Sequence, residues 1–426
     1  MTEIAGLGSI PNSWKTERAK WLINRQRRPI RPNDFVVTAF RNGDVTLRTN
    51  RRTEGFTEAI QEIGYQGVRV GDLVVHSMDG FAGAIGVSDS DGKASPVVHV
   101  YTPQPNVDAR YLAYVLRRMA LSGLVASLAK GIRERSTAFD AATLADLQLP
   151  LPPMEEQRRI ADFLDVKTAH IDKLHAFRGQ QLRDLEEREL AIIADMLSGG
   201  ATSEDGRPTG WPWLPHIPQD WSIGPVYAYF YTELGKMLNP DRSRGSNQRP
   251  YLRNANIHWY EIDTSDVATM HFDPDEVKRY SLSPGDLLVC EGGAGVAEAA
   301  IWDGRIAECF FQKSLHRVQR SGKVPVEWLM YWLRFAKSCG VFEAGGNIAT
   351  IPHLTGEQLR QYRIPIPNNG ETLIRRTEQT IKAMAKVRMA LNQAQELLAE
   401  RRQALITAAV TGQFDVASAS GRGVVE

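Results

Sequence analysis

The chain has 426 residues, 42% of them hydrophobic and 24% charged, with a net charge of +1. These are ordinary proportions for a soluble globular protein. No apolar run approaches the ~18 residues of a membrane-spanning helix, so nothing is expected to span a membrane. The net charge alone argues neither for nor against a nucleic-acid partner.

The opening MTEIAGLGSIPNSW has neither a basic nor an apolar signal region, so no signal peptide is expected. Positions 14–52 hold eleven Lys/Arg against three Asp/Glu. Arg25, Arg27, Arg28, Arg41, Arg48, Arg51 and Arg52 in this stretch are candidate contacts for a polyanion. Residues 34–40, 45–49, 72–77, 84–88 and 97–102 read as short Val/Ile-rich strands broken by Gly, Asp and Pro, and 69–72 as a tight turn. Residues 108–130 read as one amphipathic helix, with Leu112, Val115, Leu116 and Met119 on its apolar side. The segment 130–136 follows, with Lys130, Arg133 and Arg135 beside Gly131 and Ser136. It reads either as a phosphate clamp or as a solvated helix terminus whose positive charge suits the dipole.

Pro150, Pro152 and Pro153 then mark the start of a long helix. From 153 to 200 there are seven Lys/Arg and ten Asp/Glu. At ~1.5 Å per residue this is a rod of roughly 65–70 Å. More than a third of its residues are charged, so it is expected outside any core. A narrow seam of Ile160, Leu164, Ile171, Leu174, Leu182, Leu185 and Ile192 requires a partner. Residues 199–213 read as a Gly/Ser/Thr/Pro linker.

A second globule follows. Positions 236–256 hold five Lys/Arg and one acid. Arg242, Arg244, Arg249, Arg253 and Asn254 sit there in a Ser/Asn/Gly-rich neighbourhood, and Arg and Asn are the side chains that suit guanine and adenine edges. The alternative is a solvated basic loop. Residues 251–257, 286–290, 298–302 and 309–318 read as strands, and 325–342 as a helix. Lys313, His316 and Arg317 are further candidate DNA contacts. A second proline-led rod begins near 364, with Ile381, Met384, Leu391, Leu398 and Leu405 as its seam. Cys290, Cys309 and Cys339 fit reduced core thiols of a cytoplasmic protein.

The halves repeat. Ile10-Pro11-x-x-Trp14 recurs as Ile217-Pro218-x-x-Trp221, Gly71-Asp72-Leu73 as Gly285-Asp286-Leu287, and Tyr111-Leu112 through Arg117 as Trp328-Leu329 through Arg334. Leu185, Glu187, Arg188, Ala191, Ile193 and Gly199 match the residues 213 positions later, from Leu398 to Gly412. One unit of about half the chain, duplicated and diverged, explains all four matches. The expected fold is therefore α+β, with two mixed α/β globules joined by two long antiparallel helices in a coiled coil. Its segments are 1–148, 149–199, 200–363, 364–416 and a flexible tail, 417–426.

No catalytic or metal set emerges. Pro274–Lys278 superficially looks like a nuclease P-D…E-x-K set, but its acids are contiguous and open a helix. Glu291-Gly292-Gly293-Ala294-Gly295 lacks the Lys-Ser/Thr of a P-loop. Asn239-Pro240-Asp241 does not continue into an amino-methyltransferase motif. His258, His271, His316 and His353 lack metal spacing or a nucleophile.

Two divergent globules, each followed by a proline-led helix, resemble the specificity subunit of a type I restriction–modification system. The matching stretches are LPLPPMEEQRRIADFLD (149–165), LLAERRQALITAAVTGQFD (397–415), GDLLVCEGGAG (285–295) and GFAGAIGVS (80–88). The second helix entrance departs from the pattern, with 368–372 (NNGET) in place of Glu156-Gln157. The resemblance implies a non-catalytic reader of double-stranded DNA, each globule a target recognition domain for half of a bipartite, asymmetric site. It implies helices that set the spacing and dock two modification (methyltransferase) subunits, with restriction subunits joining them. S-adenosylmethionine, ATP and Mg²⁺ are expected on those partners and none on this chain. Two alternatives are a self-contained DNA methyltransferase or nuclease, and a coiled-coil scaffold that ignores DNA.

Overall fold

The computed structural model describes residues 1–51, 62–128, 139–238, 244–293, 295–342, 353–414 and 416. The chain forms two compact units, Met1–Arg178 with Asn392–Glu426, and Gly179–Leu391. Each therefore contains one globule and half of each long helix, a grouping that cuts across the segment boundaries drawn from sequence.

In the first unit a four-stranded antiparallel sheet is built from β1 (Ile23–Gln26), β2 (Leu73–His76), β3 (Ile85–Val87) and β4 (Val98–Pro103), in the order β1-β4-β2-β3. Helix α1 (Ala109–Leu121) covers one face and buries Tyr111, Leu112, Val115, Leu116 and Met119. Asp108 caps it, accepting from the backbone N–H groups of Arg110 and Tyr111. The single helix expected over 108–130 is two. Gly123 adopts φ +85°, a left-handed conformation that ends the first segment before Leu124–Leu128 begins. Helix α2 (Met154–Ser198) then starts after Pro153.

The second unit repeats this plan with β5 (Phe230–Leu234), β6 (Leu287–Cys290), β7 (Ala299–Ile301) and β8 (Leu315–Arg320), in the order β5-β8-β6-β7. Helix α3 (Val326–Ser338) buries Trp328, Leu329, Trp332 and Leu333. Helix α4 (Gly370–Val410) is the second long helix. Its entrance uses Asn369, whose carbonyl accepts from the N–H groups of Thr372 and Leu373. The first entrance has the same tie, the Pro153 carbonyl accepting from the N–H groups of Glu156 and Gln157, and adds a second. Gln157, fully buried, accepts from Asp108 N–H at 2.9 Å and donates to the carbonyls of Asn106 and Pro152.

Equivalent local devices recur in both units. Gly71 and Gly285 take φ +87° and +95°, and the buried Asp72 and Asp286 each accept 2.8 Å from a backbone N–H three residues earlier. At the helix ends, Gly412 and Gly199 take φ +66° and +60°. A side-chain carbon at either would lie 2.7 Å from a proline Cγ, that of Pro11 or Pro218. It would also lie 3.0 Å from Trp14 or Trp221. Only glycine satisfies both the left-handed turn and this close approach.

Several elements differ from the sequence reading. The strand expected over 251–257 ends at Leu252, because Arg253–Asn256 closes a short 3-10 turn in which Asn256 accepts from Arg253 N–H. The strand over 309–318 is two, Phe310–Phe311 and β8. Both proline-led entrances are strands, Gln148–Leu151 and Arg363–Ile366, paired with Lys15–Arg18 and Ser222–Pro225. The linker over 199–213 contains a strand, Gly206–Pro208, paired with His216–Pro218. Cys290 and Cys309 are buried thiols, whereas Cys339 is exposed at the end of α3.

The long helices are not excluded from the cores. Ile160, Ala161 and Leu164 pack with Ile406, Ala409 and Val410 in the core of the first unit. Ile193, Met196 and Leu197 pack with Ile374 and Ile381 in that of the second. A fully buried Leu or Ile contributes ~1.5–3 kcal/mol, so these ends anchor each helix to a globule. Of the expected seam, Ile171 and Met384 are also buried; Leu174, Leu182, Leu185, Leu391, Leu398 and Leu405 are half-buried. Ile192 is half-buried, and its neighbour Ile193 takes the inward place. Arg402 meets Asp172, and Gln395 meets the His175 carbonyl, in the first unit. Arg388 meets Glu189, and Thr377 meets Met196, in the second. Rising numbers on α2 face falling numbers on α4, so the pairing is antiparallel in each unit.

Candidate nucleic-acid interface

Burial and pairing sort the candidate basic residues. On β1, an edge strand, Arg25 is exposed, and Arg27 follows it, also exposed; among the described residues neither has an ion pair. Arg28 is different: its guanidinium grips the carboxylate of buried Asp72, one hydrogen bond being 3.0 Å. That carboxylate holds the turn before β2, so Arg28 is a structural residue. Arg41 pairs with Asp79 at 2.7 Å, and Arg51 pairs with Asp44 while lying over the Phe40 ring. Arg48 is half-buried in a short 3-10 turn, Arg48–Asn50. Arg41, Arg48, His76 and Asp79 border a cavity of about 600 Å³. Arg52, Lys130, Arg133 and Arg135 lie outside the described residues.

The electrostatics of this face favour anions. Burial, and then the Arg25 charge, lower the pKa of His99 on β4 below the usual imidazole range. Burial likewise lowers that of His76, Asp79 opposing and Arg41 adding to the shift. Both rings are neutral at pH 7 as a result, and the positive charge of the face belongs to its arginines.

In the second unit Arg244 and Lys313 are exposed and have no ion pair among the described residues. Arg242 lies outside the described residues. Arg249 pairs with Glu308, and Arg253 with Asp266. Asn254 donates to the Gly292 carbonyl at 2.7 Å, so its amide is committed to the glycine loop. Arg317 donates to the Ser281 carbonyl at 2.6 Å and lies over Phe311. His316 is wholly buried and bonds the Leu354 carbonyl at 2.8 Å; the expectation of a DNA contact there is corrected to a core role. Burial lowers its pKa, so the ring is neutral. The paired arginines remain available to phosphates only by exchanging one carboxylate for another anion, while Arg25, Arg27, Arg244 and Lys313 bear no such cost.

Sequence reasoning missed the buried charges. Glu189, on α2, is 1% exposed. It accepts from Tyr260 Oη at 2.7 Å and from Arg334 Nε at 3.2 Å, and it pairs with Arg388. Burial pushes its carboxyl up, but Tyr260, Arg334 and Arg388 together hold it below the ordinary carboxylate range. The available signal was the repeat itself, which places Arg117 and Arg334 at matching helical positions. The acids of Pro274–Lys278 open a helix, Pro274–Tyr280, as expected. Among the described residues no group of His, Cys, Asp or Glu could hold a metal ion, and no helix is long and apolar enough to cross a membrane.

Comparison with known proteins places this architecture. Residues 46–182 match the type I restriction modification DNA specificity domain. The type I restriction enzyme EcoKI specificity subunit of Escherichia coli K12 is 23% identical over 190 residues, 44% of this chain and 39% of that protein's length. The putative MjaX specificity subunit of Methanocaldococcus jannaschii is 21% identical over 400 residues, 85% of this chain and 84% of its own. A solved chain from work on complex assembly and conformational transition of the type I R-M system superposes with a TM-score of 0.62 at 17% identity. That superposition covers 95% of this chain and 99% of the other, and it shows a shared fold. By the specificity domain over residues 46–182 and by these alignments, the chain is similar to the specificity subunits of type I restriction enzymes.

Proposed function

We propose that the chain is the DNA sequence-recognition subunit of a type I restriction–modification complex. The observation that carries this is the duplicated globule, each copy with the same sheet order and the same proline–tryptophan–glycine lock on a helix end. Two related but diverged readers suit a bipartite, asymmetric site, one half per globule. The two helices then set the spacing and, with the globules, dock two modification subunits; restriction subunits join that assembly. Phosphate contacts fall to Arg25 and Arg27 in one globule and to Arg244 and Lys313 in the other, because these cations are exposed and unpaired. The chain performs no chemistry of its own. S-adenosylmethionine, ATP and Mg²⁺ act on the partner subunits, and the complex works in the cytoplasm.

Replacing residues 13–148 by the matching segment of a relative tests this reading. In cells carrying the complex, sequencing of methylated adenines should show one half-site changed and the other retained. A change in both halves, or in neither, would refute the assignment of one half-site to each globule.

A further inference from the structure

The two units surround equivalent buried arginines with opposite charge. In the second unit Arg334 on α3 is 7% exposed and meets two carboxylates, Glu186 at 2.6 Å and Glu189 at 3.2 Å. Its counterpart in the first unit, 217 positions earlier, is Arg117 on α1, 8% exposed. The helix repeat of 213 positions puts Ala399 where Glu186 stands and Arg402 where Glu189 stands. Both carboxylates are thus missing, and one is replaced by a second cation.

Among the described residues Arg117 has only backbone acceptors. Its Nε donates to the Gly83 carbonyl at 3.2 Å and an Nη reaches the Arg41 carbonyl at 3.5 Å. The neighbouring loop is moulded on it: a Cβ at Gly43 would lie 2.3 Å from Arg117 Nη1. Burial, and then the Arg402 charge, push its guanidinium down to about 10. It borders a cavity of about 670 Å³ that Arg402, Asp44, Asp165 and Asp172 also line. Asp89, a further lining acid, is exposed and accepts from the Ser90 hydroxyl, and the other acids are committed elsewhere. Asp44 pairs with Arg51, Asp165 takes Arg110 and the Tyr114 hydroxyl at 2.8 Å each, and Asp172 takes Arg402 at 3.2 Å. Among the described residues no carboxylate pairs with Arg117. A buried charge without a counter-ion is costly, and the cost falls when an anion enters. The volume lies in the range of small-molecule sites.

We propose that this cavity binds a small oxyanion, the phosphate or carboxylate group of a free ligand, with Arg117 as its anchor and Arg402 beside it. The ligand supplies the negative charge that Glu186 and Glu189 supply in the other unit.

The test is a titration of the full chain with inorganic phosphate, chloride holding the ionic strength constant, with thermal unfolding as the readout. Phosphate at about ten times its Kd multiplies the folded-to-unfolded ratio about tenfold, a rise in Tm of several degrees. Arg117→Met should abolish the rise, while replacement of an exposed cation outside the cavity, Lys20→Ala, keeps it. Ala399→Glu restores a carboxylate at the position of Glu186. It should raise Tm in chloride alone and remove the phosphate response, which keeps the test decisive even where Arg117→Met fails to fold. An absent phosphate effect in the parent chain, or an equal effect in the parent and Ala399→Glu, would overturn the proposal. Loss of the phosphate effect on adding duplex DNA would put a DNA phosphate in the cavity and overturn the free-ligand assignment.

Discussion

Replacing Glu189 by glutamine should cost the second unit about 3 kcal/mol. The substitution preserves shape and removes one charge. Removing one partner from a buried ion pair costs ~3–5 kcal/mol, because the remaining charge stays desolvated. Two features move the expectation to the low end. The Arg388 side chain is 25% exposed and can turn to water, and Arg334 keeps Glu186. For a unit of about two hundred residues, ~3 kcal/mol corresponds to a fall in Tm of roughly 6–12 °C. Denaturant unfolding followed by tryptophan fluorescence is a suitable assay, since seven of the nine tryptophans lie between Trp211 and Trp332, within that unit. Acid should act in the same direction. The folded carboxyl has a lowered pKa, so its contribution is complete above the ordinary carboxylate value near ~4.3 and is lost as pH falls through the lowered one. The triple replacement Glu189→Leu, Arg334→Met, Arg388→Met removes the three more buried charges together, leaves the half-exposed Glu186 to water, and should cost less than Glu189→Gln alone. A single substitution costing under ~1 kcal/mol, or a triple costing more than the single, would refute the view that desolvated charge governs this cluster.

Two further outcomes follow from the proposed function. Arg25→Ala and Arg27→Ala should each weaken binding to all DNA sequences alike and flatten the salt dependence by about one unit for each phosphate no longer neutralised; an unchanged slope in both would remove β1 from the interface. Inserting one heptad into each long helix, between Arg178 and Leu182 and between Leu391 and Gln395, adds about 10 Å to each. Methylation mapping should then show the same two half-sites with an unspecified gap longer by up to about three base pairs, whereas an active variant with the original gap would show that the helices do not set the spacing.

The fold was legible wherever a pattern repeated. The duplicated Ile-Pro-x-x-Trp and Gly-Asp-Leu motifs lie at positions where backbone geometry leaves little choice: a left-handed glycine, a carboxylate closing a turn, a tryptophan covering a helix end. Such constraints survive divergence, and so they can be read from one sequence. Element ends were less legible, because they depend on single residues. Gly123 divides what the apolar spacing of 108–130 presents as one helix, and the Asn256 amide stops a strand at Leu252. The candidate DNA contacts were the least legible. A candidate side chain is exposed or engaged according to residues far away in sequence: Asp72 takes Arg28, Glu308 takes Arg249, and the peptide carbonyl of Leu354 takes the neutral His316. Local composition counts charges without recording where their partners lie.

The same limit explains why the long helices read as mere spacers. Their apolar residues are sparse on average but concentrated at the ends, where each helix enters a core. Between those ends the inward positions of α4 at seven-residue intervals are Ile381, Arg388, Gln395, Arg402 and Ala409, so three consecutive layers are polar. Their partners carry opposite charge: Glu189 for Arg388 and Asp172 for Arg402. An all-leucine seam would pair in several registers, since one layer of leucine resembles the next. A one-heptad slip here would withdraw Arg388 from Glu189 and Arg402 from Asp172 while leaving the leucine row of Met384, Leu391, Leu398 and Leu405 nearly undisturbed. The charged layers therefore specify register, and the anchored ends supply the stability on which that specification rests. In a reader whose two globules are each built on the same helix pair, a fixed register fixes which residues each globule is built upon.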